Sequence, residues 1–227
     1  MKNSTSLYLK YLAFFVGAIL VYQLYQKSNN YDLKCIIAHE DGKTYCVRDR
    51  KKLQQSAELM AKVTNNMSNM VEYMRQNHPD DERTQRLVDG FSPNSISETL
   101  PTSKLTAYSE NKGEKIALCL NKNKKKGEDE LIDINTLTFV ALHELSHIMT
   151  KSIGHKQEFW ENFKFLLENA KTAQIYNPVD YNKNPSEYCG MTLSDNPYFD
   201  LVWFGLENLI NKINKKKRKE KVTYKYK

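Results

Sequence analysis

Three of the chain's five histidines fall within thirteen positions, in the stretch FVALHELSHIMTKSIGHKQEFW. They are His143, His147 and His155, and Glu144 directly follows the first. No other feature constrains the fold so tightly. Residues four apart on a helix point the same way, about one turn apart. The surrounding pattern is helical, since Ile134, Leu137, Val140, Ala141, Leu145, Ile148 and Met149 make one apolar stripe and Asp133 is placed to act as N-cap. Two imidazoles on one helical face can bind one zinc ion. Glu144 lies about 100° further round the helix, beside such a site without being an obvious ligand. A carboxylate there can take a proton from a water that zinc has made acidic, with a pKa of about 7. That is the physical content of H-E-x-x-H.

A catalytic zinc takes three protein ligands and keeps one position open. Straight helix from His147 to His155 would carry the third histidine about 12 Å along the axis, too far to share a metal. The chain must therefore turn within TKSIG, where Gly154 can adopt a positive φ. A second amphipathic helix then begins, with Phe159, Trp160, Phe163, Leu166, Leu167 and Ala170 on one face to lock His155 against the first. Glu158 and Glu161 are rival third ligands, and His155 is preferred because the glycine turn directs it towards the metal.

The rest of the chain arranges itself around this stretch. Residues 1–6 are a short tail. Residues 7–26 hold the uncharged run YLAFFVGAILVYQLY, close to the roughly 20 apolar residues a bilayer core needs, with Lys10 and Lys27 able to snorkel and no small-x-small cleavage site after it. The expectation is a single-pass membrane anchor, leaning to an N-terminus in the cytosol and a domain beyond the membrane. Residues 27–50 read as a hairpin around Asp41-Gly42, flanked by Cys35 and Cys46, which can pair in an oxidising compartment. Cys119 lies in an apolar strand pattern that suits a buried free thiol. His39 reads as a surface residue. A long helix follows, with Leu53, Met60, Val63, Met67, Met70 and Met74 at helical spacing, ended by Pro79 with His78 in water. GFSPNSISETLPT reads as a loop, and KLTAYSE and EKIALCL as strands.

The charge is uneven. Residues 212–227 carry nine Lys or Arg against one acid, a surplus of +8 in a chain whose net charge is +7, which leaves about −1 for residues 1–211. The body therefore has no basic surplus for gripping nucleic acid, and any contact with nucleic acid or anionic lipid falls to the 212–227 tail.

The segments HELSH and HKQEFW, with the upstream NKGEKIALCL, resemble the WLM and SprT-like (Spartan-type) metallopeptidases, over about residues 50–172. The chain is also similar to WLM-like proteins of large DNA viruses, which would place it in a virion or host membrane. The resemblance implies an α+β zincin domain over residues 51–211, with a small sheet, a long N-terminal helix and an active-site helix. It implies one zinc ion on His143, His147 and His155, Glu144 as general base, and a protein or peptide substrate laid along a sheet edge near Asn111, Lys112 and Gly113. Two departures stand out. Seven residues separate His147 from His155 where the close family pattern has five, which bears on the turn, and Cys119 replaces a usual arginine. The function expected is a membrane-anchored zinc endopeptidase, with Tyr181 and Tyr188 as candidates to stabilise the oxyanion. The alternatives are a catalytically idle, zinc-stabilised scaffold and a nucleic-acid or anionic-lipid binder acting through its tail.

Overall fold

An amphipathic helix needs a partner for its apolar stripe, and the longest stripes in this sequence pack on one another. In the computed structural model, which describes residues 2–28, 33–123 and 130–200, the order is α1 (Lys2–Ser28), β1 (Leu33–Ile37), β2 (Thr44–Arg48), α2 (Leu53–Asn77), α3 (Glu82–Gly90), β3 (Ile96–Glu98), β4 (Ala107–Glu110), β5 (Lys115–Leu118), α4 (Ile134–Met149), α5 (Gln157–Thr172), β6 (Ser186–Tyr188) and β7 (Met191–Leu193). Strands and helices are mixed without βαβ repetition, which makes the chain α+β, as expected. The end of the expected domain (201–211) and the basic tail (212–227) lie outside the described residues.

The methionine stripe is the inner face of α2. Met60, Met67, Met70 and Met74 are all at most 1% exposed, and α2 packs against both α4 and α3. Each such burial removes a large apolar side chain from water, worth about 1.5–3 kcal/mol. His78, expected in water, is instead half-buried where α2 ends. Its Nε2 lies 2.8 Å from Asn169 Oδ1 on α5, and its ring meets Phe165 edge-on. His39 is exposed, as expected.

The sheet order is β3-β5-β4, with β3 parallel and β4 antiparallel to β5. β3 corrects the reading of GFSPNSISETLPT as loop throughout. Its Glu98 is 1% exposed and pairs with Arg50 and, through its other oxygen, with the backbone N–H of Arg48 at 2.7 Å. That buried acid draws β2, and with it the β1–β2 hairpin, onto the sheet. Tyr45 and Val47 of β2 belong to the same core as α2, so packing does not break at residue 50. The hairpin turns at Gly42, φ +71°, and places Cys35 directly opposite Cys46, the two joined as a disulfide.

Cys119 is not a free thiol. It forms a disulfide with Cys189, with Cα atoms 6.0 Å apart. The continuation of β5 past Leu118 is the reason, because it pairs with the chain around Gly190: Cys189 N donates to Asn121 O at 2.9 Å and Gly190 N to Lys122 O at 2.7 Å. In the chain-entropy account, closing so long a loop is worth about 4 kcal/mol.

Helix α1 contains the expected 7–26 helix and runs beyond it. Its described side chains, Tyr8 and residues 10–24, are all exposed, Leu12, Phe14, Phe15 and Leu20 among them. Among the described residues no helix is long and apolar enough to cross a membrane, so the structure lends the spanning reading no support. The side chains of residues 7, 9, 25 and 26 lie outside that description.

The β4–β5 turn is seated by a close approach of two glycines. Asn111, Lys112 and Gly113 all have positive φ (46°, 58° and 106°). A Cβ on Gly113 would lie 2.1 Å from Gly90 O, and one on Gly90 2.6 Å from Lys112 O. Both the conformation and the space exclude a side chain at 113. Gly113→Ala should therefore destabilise the fold by more than about 2 kcal/mol. Denaturant unfolding checks this, and wild-type stability would refute the contact.

Candidate metal centre

Helix α4 begins where its sequence says it should. Asp133 caps it, its carboxylate accepting from Thr136 N at 2.8 Å. Nearly every position of α4 is buried, and the two half-buried exceptions in its C-terminal half are His143 and His147. Their rings lie on one face, edge-on to each other with centroids 5.0 Å apart. The helix ends as Thr150 turns extended (φ −86°, ψ 131°). Gly154 then takes φ +79° with open space around its Cα, so its backbone angle and not crowding calls for glycine. This reversal returns His155 to the helix. Its Nε2 lies 3.0 Å from that of His143 and 3.2 Å from that of His147.

Phe159, on the first turn of α5 and fully buried, forms the floor beneath all three rings. Its centroid is 4.8 Å from His143, 4.4 Å from His147 and 4.6 Å from His155. Phe163 backs His143 at 5.2 Å and Trp160 flanks His155 at 5.7 Å. The stripe expected to lock the third histidine does so through direct ring contact.

Three nitrogens this close need a reason. A neutral imidazole nitrogen carries either one hydrogen or one lone pair, so a triangle of three cannot satisfy every edge by hydrogen bonding. A tetrahedral ion with bonds of about 2.0–2.1 Å sets its ligand nitrogens roughly 3.3 Å apart, close to the separations seen. Burial lowers the pKa of His143 to about 3, helped by repulsion from His147 and His155. Burial, His155 and then Lys112 lower that of His147 to about 4. Burial also lowers His155. Near neutral pH all three are uncharged, which is the form that ligates metal.

Glu144 is 4% exposed, and its Oε2 is buried with no hydrogen-bond partner. Burial lifts its pKa to about 8. A buried carboxyl with an unsatisfied oxygen is costly, and a cation beside it would favour the charged form again. The donor set, the nitrogen spacing and this orphaned oxygen together fit a metal ion. Among the described residues, His143, His147 and His155 form the one such group of ligating side chains.

The rival ligands are otherwise engaged. Glu158 accepts from the backbone N–H groups of Lys151 (2.9 Å) and Ser152 (3.1 Å), and Glu161 from Gln157 (3.2 Å). Of the residues expected to bind substrate, Asn111 Nδ2 donates to Glu114 (2.7 Å) and Gly113 packs on Gly90. The ammonium of Lys112 donates to the carbonyls of His147, Thr150 and Ser152. Tyr181 is buried against Phe139. The Tyr188 hydroxyl accepts from Cys119 N (3.0 Å) and donates to Thr106 O (3.3 Å). Its proton is committed, so the structure does not favour it for an oxyanion. Sequence reading missed the grip of Lys112 and Glu158 on the turn, because both partners are backbone atoms and leave no pattern in residue types.

The WLM domain profile matches residues 42–223. This chain belongs to the WLM family, which is a SprT-like metallopeptidase family. Viral proteins are similar to this WLM chain in sequence. An uncharacterised protein of Acanthamoeba polyphaga mimivirus is 28% identical over 158 residues, 68% of this chain and 79% of its own length. An uncharacterised protein of Invertebrate iridescent virus 6 is 43% identical over 61 residues, 27% of this chain and 34% of its own. A third, from Invertebrate iridescent virus 3, is 40% identical over 60 residues, covering 26% and 36%. No solved structure matches the chain. The WLM match begins at the hairpin turn, in keeping with a hairpin that shares the core.

Removing one nitrogen from the triangle opens a second coordination position. His143→Ala, His147→Ala and His155→Ala should each reduce bound zinc from one ion per chain to well under half after dialysis, as read by elemental analysis. Stoichiometric zinc in His155→Ala would remove that residue from the site.

Proposed function

We propose that this WLM protein is a zinc-dependent endopeptidase tethered to a membrane by its N-terminal segment. The observation that carries the catalytic reading is the meeting of three uncharged imidazole nitrogens beside a buried carboxyl with a free oxygen. His143, His147 and His155 would hold a zinc ion, which when bound would supply a Lewis acid for the scissile carbonyl and acidify water towards neutral pH. Glu144 takes the proton from the attacking water at Oε2 and returns it to the amine as the carbon–nitrogen bond breaks. Phe159 and Phe163 keep the imidazoles in place and hold water away from their inner faces. The zincin-type placement of the substrate is supported by the sheet order. β4 is an edge strand, so an extended peptide can pair with its outer side and run towards the 111–113 turn.

The idle-scaffold reading is disfavoured by Glu144. A structural zinc site is closed by four ligands and needs no buried acid beside it, whereas the residues gathered here are three ligands and one acid. The basic tail, residues 212–227, is proposed as an auxiliary contact for anionic lipid or nucleic acid and has no part in peptide hydrolysis.

The tether rests on the uncharged run of residues 11–25, and two observations accord with contact between this segment and a membrane. The described side chains of α1 expose large apolar groups, Leu12, Phe14, Phe15 and Leu20 among them. All four cysteines of the domain are paired, and disulfides persist where the surroundings are oxidising. Together they favour an N-terminus in the cytosol and a catalytic domain on the far side.

Glu144→Gln keeps shape and ligands but removes the base. It should retain one zinc per chain and lose about 10²–10⁴-fold in cleavage rate on an unfolded protein substrate. Cleavage at the wild-type rate would end the proposed mechanism. Full-length protein should also stay with the membrane pellet in alkaline carbonate, and release into the supernatant would refute the anchor.

A further inference from the structure

The difficult part of this site is the turn between the second and third histidines. Residues 150–156 form neither helix nor strand. They expose Ile153 and include Gly154, the residue with the most backbone freedom. Yet this turn must deliver His155 Nε2 to within a few tenths of an ångström of a shared point.

Two side chains of opposite charge grip its backbone. From the β4–β5 turn, the Lys112 ammonium donates to three carbonyls: His147 at 3.0 Å, Thr150 at 2.5 Å and Ser152 at 3.1 Å. An ammonium has three hydrogens, so all of them are spent here. From the first turn of α5, Glu158 accepts the N–H of Lys151 at one oxygen and that of Ser152 at the other. The lysine holds the carbonyls and the glutamate the amides of the same short segment, and both sets are charge-assisted hydrogen bonds. Burial lowers the pKa of Lys112 while Glu158 opposes that shift, so the two charges feel each other across the turn.

Neither anchor is loose. Lys112 springs from three successive residues at positive φ, seated by the contact between Gly113 and Gly90. Glu158 directly precedes Phe159, the floor of the histidine cluster. The Lys112 side chain is exposed along its length and only its ammonium is partly withdrawn from water, so its bonds add modestly to global stability. Their effect is on where the turn sits.

We infer that Lys112 and Glu158 are positioning residues that clamp the 150–155 turn in the shape that lets His155 complete the three-histidine metal site. This rests on the metal-site reading above, and it gives Lys112 a role in building the site in place of one in binding substrate.

Cobalt(II) titration of the purified full chain tests it, with visible absorption reporting coordination geometry and a competing chelator giving affinity. Lys112→Met should weaken cobalt binding by about 10- to 100-fold, the range for groups that orient metal ligands. It should also change the absorption band while leaving the thermal midpoint of the metal-free chain within a few degrees. Glu158→Ala acts from the other side of the turn and should do the same, which keeps the test alive if Lys112→Met fails to fold. In a His155→Ala background, Lys112→Met should cost almost nothing further, because the clamp works through His155. Wild-type affinity and spectrum in both single variants would overturn the inference alone, as would an undiminished loss in the His155→Ala background. A wild-type chain that takes up no cobalt would overturn the metal site as well.

Discussion

Three imidazole nitrogens held within 4.8 Å of one another, with that of His155 3.0 and 3.2 Å from the other two, are the constraint on which the rest of this domain depends. Burial and mutual proximity disfavour protonating them, and uncharged imidazoles cannot satisfy every contact among three nitrogens by hydrogen bonding. Holding them there requires rigid supports from several directions. α4 supplies two of the histidines at helical spacing and is locked in place by its buried faces and its Asp133 cap. α5 supplies the aromatic floor. The β4–β5 turn reaches over from the sheet to hold the segment that carries the third histidine. The close contact of Gly90 with Gly113 follows from the same demand, because it brings the sheet's turn near enough to α4 for Lys112 to reach.

The opposite side of the domain is held by different forces. Glu98 is almost wholly buried and meets both Arg48 and Arg50. Removing those charges from water is expensive, and the cost is offset only because every group is multiply bonded: Arg48 also donates to Thr99, and Arg50 to Asn121. Asn121 in turn accepts the N–H of Cys189. The hairpin, the sheet and the Tyr188–Gly190 segment are thus one connected polar network, with the Cys119–Cys189 disulfide across it. Tyr188 sits within this network close enough to Glu144 to feel its charge, which links the rear of the domain to the acid of the site.

Much of the site was legible because its chemistry follows helix geometry. His143, Glu144 and His147 are set by a 3.6-residue period, Asp133 by capping and Gly154 by its backbone freedom, and all of these act within a few residues. The hairpin at Asp41-Gly42 and the methionine face of α2 were legible for the same reason. β3 was not, since Ile96–Glu98 is too short to alternate visibly and exists because β5 offers it an edge. α3 escaped too, although Asp81 caps it by accepting from Arg83 N, because nine residues with two buried positions leave a faint stripe.

The sequence by itself determined the pair of histidines one turn apart, the acid beside them, the helix that presents them and the family to which the chain belongs, because each depends on residue identity at fixed short spacing. Tertiary structure alone decided which partner each remaining group would take. His155 closes the triangle while Glu158 turns to backbone amides. Lys112 spends its hydrogens on carbonyls, Cys119 finds Cys189 seventy positions away, and the Tyr188 hydroxyl is consumed by the backbone. These outcomes depend on distances across the fold between atoms far apart in the chain or belonging to the main chain, and neither kind of contact is encoded in local residue pattern.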